Sequence, residues 1–209
     1  MPVRVADAMM DRLGVPVTDD DLLGPFTRRT TLGHPTGPCS EPQNLGFGDG
    51  LDGWMTRGSS RAEVTGSHGD DYAVTAADGT ATLAAVVPRP YGDISVGQEF
   101  LAEGYLGATV TLRAEIRAQD VAGSAELSLH VVGKAEDASA PGPVPQAVQR
   151  GREAHCRTIT GSQDWTSYEL TAPVLAGAEH IEFDLTLTGA GEVELRNVTF
   201  TRAGPIRRA

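Results

Sequence analysis

Residues 108–118 read Ala-Thr-Val-Thr-Leu-Arg-Ala-Glu-Ile-Arg-Ala, apolar at every second position and polar between. A period of two sends alternate side chains to opposite faces of an extended chain, so this stretch predicts a strand with one buried face. The same alternation recurs at Leu127, Leu129 and Val131, at Ile181, Phe183, Leu185 and Leu187, and at Val193 and Leu195. Further short apolar runs, bounded by Gly, Pro, Asp and Asn, place candidate strands near 45–55, 60–67, 71–76, 80–87, 95–103, 153–159 and 166–172. Many short strands separated by turn residues predict an all-β chain: an antiparallel jelly-roll β-sandwich or a flattened barrel.

The arm before the sandwich reads differently. Val3, Ala6, Met9, Met10 and Leu13 recur at spacings of three and four, and Gly14 and Pro16 follow. That stripe predicts a short amphipathic helix. The expected organisation is an N-terminal helical arm over 1–43, able to act as a lid, and a sandwich domain over 44–209. A Pro- and Ala-rich loop at 133–151 interrupts the domain and is too long for a simple hairpin.

Charge narrows the partners. The 209 residues carry 17 Lys and Arg against 28 Asp and Glu, a formal net charge of -11, which repels polyanions and argues against nucleic acid. The first residues lack a basic segment followed by an apolar core, and no window approaches the length of a membrane span, so a cytoplasmic location away from membranes is expected. Cys39 and Cys156 then read as free thiols. His34, His68 and His180 have no zinc-like spacing, and neither a phosphate-binding Gly loop nor a hydrolase signature is present. The expectation is no metal and no cofactor.

Asn44-Leu45-Gly46-Phe47-Gly48-Asp49-Gly50-Leu51-Asp52-Gly53-Trp54 resembles the Asn-x-x-Phe-Glu-x-Gly-Leu-x-Gly-Trp opening of jelly-roll domains typified by carbohydrate-binding modules. Gln98-Glu99-Phe100 before Gly104-Tyr105, and Gln163-Asp164-Trp165-Thr166-Ser167-Tyr168, resemble later strands of the same family, so the likeness runs over 44–202. It implies the sandwich fold and core positions for Trp54 and Trp165. Many members hold a structural calcium with a Glu beside the opening Phe and an Asp in the last strand; here Gly48 and Arg196-Asn197 stand there, and an Arg opposes a hard cation.

The polar rows supply the candidate chemistry. Arg113, Glu115, His130 and Asp184 occupy non-core positions of strands expected to be neighbours, where they would meet on one cleft floor and hydrogen-bond a carbonyl or move a proton. The competing reading is a solvated cross-strand ion-pair ladder. Tyr91 and Tyr105 are expected to rim a pocket mouth, with Gln98, His155, Arg157, Met9 and Met10 as further ligand contacts. Together these predict a small-molecule partner, a monomer or homodimer, and a cofactor-free cyclase that shapes a polyketide-like substrate in natural-product biosynthesis, since holding a reactive geometry needs little dedicated chemistry. The alternatives are a non-catalytic binder of a carbohydrate or small metabolite, which the family resemblance implies, and an interaction module.

Overall fold

A computed structural model describes residues 39–58, 71–133 and 152–205. The helix expected at 3–13, the strand expected at 60–67 and the loop between 133 and 152 lie outside them. The described residues form eight strands: β1 (Met55–Gly58), β2 (Tyr72–Ala77), β3 (Thr80–Ala85), β4 (Asp93–Leu101), β5 (Ala108–Gly133), β6 (Arg152–Pro173), β7 (Ala178–Thr188) and β8 (Glu192–Pro205). All pair antiparallel.

The 26-residue β5 and the 22-residue β6 organise everything else. The first half of β5 pairs with β8 on one side and the end of β6 on the other; the second half pairs with β7 and the start of β6. The first layer is therefore β2-β3-β8-β5-β6 and the second β1-β4-β7-β5-β6, with one bent hairpin common to both. The two stretches read as separate strands, 108–118 and 125–132, are a single strand, as are 153–159 and 166–172.

The bend is built from irregular register. Pairing slips between Ile116 and Ala118, again before Val121, and again before Ala125. Asp120 and Gly161 take left-handed φ values of 52° and 70° there. Such bulges increase local twist and turn a strand from one sheet to another. They also move the buried set from even positions (Val110, Leu112, Ala114, Ile116) to odd ones (Leu127, Leu129, Val131), so the same side of the hairpin stays inside as it turns. The β7–β8 turn packs against the bend, where Ala122 N–H donates to the Ala190 carbonyl at 2.9 Å. A Cβ on Gly123 would collide with the Thr188 carbonyl oxygen, so glycine is required for that approach.

Between the layers lie Trp54, Leu83, Val96, Phe100, Leu112, Ile116, Leu129, Leu185 and Leu187, all at most 1% exposed. Phe183 of β7 stacks on Phe200 of β8 across the interior, with centroids 5.8 Å apart. The opening motif is a run of turns rather than the strand expected at 45–55. Asn44, at φ 46°, donates through Nδ2 to the carbonyls of Gly50 and Asp52, while its own carbonyl accepts from Trp54 Nε1 at 2.9 Å. The Asn and Trp of that motif thus tie a loop to the core. Gln98 points inward, is 4% exposed, and uses its amide to accept from Gln43 N–H and donate to the Gln43 carbonyl. It fastens the incoming chain to β4 and is not a ligand contact.

Candidate functional site

The four residues expected to share a cleft floor stand on opposite outer faces. Arg113 and Glu115 lie on the first layer, whereas His130 and Asp184 lie on the second, because β5 crosses between layers and only its second half adjoins β7. On the first layer the ion-pair reading holds. Arg113 meets Glu169 at 2.6 Å, Arg117 pairs with Glu194, and Arg196 meets Glu115 at 2.9 Å. Hydrogen bonds from Arg196 and then from Asn197 lower the Glu115 pKa. Arg196 and Asn197 are thereby both engaged with Glu115.

On the second layer one polar pair is sheltered from solvent. Asp184 Oδ1 accepts from Ser128 Oγ at 3.0 Å and from Thr186 Oγ1 at 2.8 Å; Ser128 is 3% exposed. Burial raises the Asp184 carboxyl above the usual carboxylate range, opposed by the two hydroxyls and by His130. Arg57 reaches across the sheet to Glu182 at 2.5 Å and Glu99 at 3.1 Å. Between them a depression forms over Gly97, flanked by Met55, Ser95 and Asp184, but its volume is only about 20 Å³. That is room for roughly one water molecule.

The aromatic candidates also separate. Tyr91, 48% exposed, precedes β4, and Tyr105 follows it, packed on Phe100 and Phe200. The nine residues of β4 put them at opposite ends of a strand of about 27 Å, so they rim no common mouth. His155 and Arg157 lie on the β6 edge; Arg157 Nη1 donates to the Cys156 carbonyl. Cys39 and Cys156 are free thiols. Met9 and Met10 lie outside the described residues.

A larger concavity lies at the hairpin bend. A groove of about 330 Å³, open to solvent, is lined by Arg117, Ala118, Gln119, Ser162, Gln163 and Asp164. Here Ile116 opposes Thr166 and Ala118 opposes Gln163, so Asp164 and Trp165 both stand against Arg117. That extra residue turns Trp165 out of the core position expected for it and onto the outer face of the first layer, half-buried beside the groove. Arg196 lies 3.9 Å from its ring centroid and Arg117 5.4 Å. Trp54 does occupy the core.

The groove's walls are held by short local bonds. Ser162 Oγ accepts from Asp120 N–H at 2.9 Å and donates to Asp120 Oδ1 at 3.2 Å. Tyr168 donates its phenol to Gln163 Oε1 at 2.8 Å. Asp164 Oδ1 accepts from Trp165 N–H, and the exposed Gln119 amide meets no partner among the described residues. Sequence reasoning did not assemble this site, although Gly161-Ser162-Gln163-Asp164 breaks the alternation between two strand segments in the way a bulge does.

No protein-family model matches the chain, and no curated protein sequence matches it. Solved structures do. A carbohydrate-binding module of family 4 aligns with 78% of this chain and 100% of its own length, at 17% identity and a TM-score of 0.51. A family 16 carbohydrate-binding module aligns over 77% of this chain and 98% of its own, at 15% identity and a TM-score of 0.50. The enzymatically active domain of the bacteriophage CBA120 tailspike protein 4 aligns over 73% of this chain but only 20% of its own, at 13% identity and a TM-score of 0.52. The expected polyketide cyclase is overturned. The structures matched along nearly their whole length are carbohydrate-binding modules. The space between the layers is filled by core side chains. In its described residues the chain is a jelly-roll β-sandwich, the fold it shares with these modules.

Proposed function

We propose that this protein is a non-catalytic carbohydrate binder whose ligand lies in the groove at the β5–β6 bend. The observation that carries the reading is Trp165, a half-buried indole on an outer sheet face, beside a groove of about 330 Å³ walled by Gln119, Ser162 and Asp164. Sugars present an apolar ring face edged by hydroxyls. An aromatic ring with amides, hydroxyls and carboxylates around it matches both halves of that surface. The fold shared with carbohydrate-binding modules supports the same reading, as does an interior too full to host a reaction.

Isothermal titration of soluble oligosaccharides into the intact chain, with mass spectrometry of the recovered sugar, tests it. At least one sugar should bind and return unchanged, and Trp165→Ala should weaken its Kd at least about tenfold, a loss of about 1.4 kcal/mol, while Tm holds. Binding that survives Trp165→Ala intact, or a panel with no binder, refutes the assignment.

A further inference from the structure

The Trp165 ring is not held by its own strand alone. Each strand beside the first half of β5 carries one extra residue at nearly the same level. On β6, the chain from Gln163 to Thr166 spans only Ala118 to Ile116 of β5; on β8, Arg196 to Thr199 spans only Glu115 to Arg113. The β8 bulge takes Asn197 to a φ of 51°. Bulges re-aim the side chains beside them. Here they bring together residues from strands that are not neighbours: the Arg196 guanidinium carbon lies 3.9 Å from the Trp165 ring centroid. Arg196 is itself fixed, because its Nε donates to Glu115 Oε2 at 2.9 Å, and Asn197 Nδ2 donates to the same oxygen at 3.0 Å. Arg117, held by Glu194, comes within 5.4 Å of the ring centre. A planar guanidinium stacks on an indole as well as meeting its negative face, which an ammonium cannot do.

We infer that Arg196 is a positioning residue for the sugar site: held by Glu115, it stacks on the indole face turned toward β8 and sets the Trp165 ring so that the opposite face receives the sugar. Arg117 and Arg196 come from β5 and β8, which lie on one side of β6, and among the described residues β6 pairs with β5 alone. The face left to the ligand is therefore the one turned toward the open edge of β6. A ring fixed before the ligand arrives loses less freedom on binding, which favours affinity. The sugar meets the indole from one side, so it needs one apolar face and keeps the other in solvent. The inference rests on the carbohydrate-binding reading of the groove and adds to it how the aromatic platform is set.

Two readouts on the intact chain test it, one of them without sugar. The chain has 2 tryptophans and Trp54 is fully buried, so the difference between each protein and its Trp165→Phe counterpart reports Trp165 alone. In that difference, Arg196→Ala should cut the near-ultraviolet circular dichroism by about half or more and raise quenching of the indole fluorescence by acrylamide. Tm should hold, since both partners of the ion pair reach solvent. In titration with an oligosaccharide that the wild type binds, Arg196→Ala should weaken Kd about fivefold. Glu115→Gln, which loosens Arg196, should act in the same direction by less, and Arg196→Lys should restore only part of both signals. An unchanged indole signal with weaker binding would make Arg196 a direct ligand contact, and tighter binding would show that it blocks the ring; either overturns the inference and leaves the carbohydrate reading standing. So does an Arg196→Ala variant that matches the wild type in both readouts. Failure of every sugar overturns both.

Discussion

The two outer faces of the sandwich are built on the same strand pair and solve opposite problems. On the first layer, charged side chains stand in water and pair across strands: Arg113 and Glu169 meet at 2.6 Å with both side chains at least half exposed. On the second, Ser128 and Asp184 sit where solvent barely reaches, and the polar groups must satisfy one another. An exposed pair competes with water for each partner and gains little; a buried one has no substitute once a partner is lost. The exposed pairs should tolerate change, and the buried Ser128–Asp184 pair should not.

Three measurements sharpen or break that contrast. The largest effect is expected from Gly97→Ala on the second layer. A Cβ there would collide with the Phe183 carbonyl oxygen and lie 2.7 Å from Asp184 Cβ, both on the paired strand β7. The variant should lose about 3 kcal/mol in urea denaturation, or fail to fold. A loss under about 1 kcal/mol would show that β4 and β7 can part.

Next comes Ser128→Ala, which removes one of the two hydroxyl donors to Asp184 Oδ1 and should cost about 1–2 kcal/mol. The same carboxyl gives the layer a pH signature. Its folded-state pKa is raised by burial, so the folded chain holds this proton more tightly than the unfolded chain does. The group's contribution to stability is therefore full below the unfolded value of about 3.9 and is lost as pH rises through the folded value. Relative to Asp184→Asn, the wild type should become less stable as pH rises above about 4. A constant difference between the two across that range would contradict the desolvation.

The smallest effect belongs to the first layer. Arg113→Ala and Glu169→Ala, separately and together, should each change stability by under about 0.5 kcal/mol, with a coupling energy of the same order. A coupling above about 1 kcal/mol would erase the distinction between the faces.

Period two in the sequence was enough to find the strands and the core, because alternation at 110–116, 127–131 and 181–187 follows directly from one-sided burial. It could not show where alternation resets. Two segments with separate apolar sets looked like two strands, and nothing in residues 117–124 announces that the chain continues through a bend. That one feature separated Arg113 and Glu115 from His130 and Asp184. The extra residue at Asp164 likewise puts Trp165 on the outer face, where the resemblance to carbohydrate-binding modules implied a core position. Gln98 misled for another reason: a polar residue on the inward face can serve the backbone of an incoming segment, and its partner Gln43 lies 55 positions away in sequence.

The shared hairpin also governs how the molecule can come apart. In a sandwich whose layers join only through loops, one layer can fray while the other persists. Here no line can be drawn between the layers without cutting the hydrogen-bond ladder of β5 and β6, since each strand belongs to both. Opening therefore has few partial routes in the middle of the fold, and the short edge strands β1 and β2 are the parts free to detach alone. The amides of β5 should be the slowest to exchange with solvent, emerging together in a single event of whole-domain unfolding.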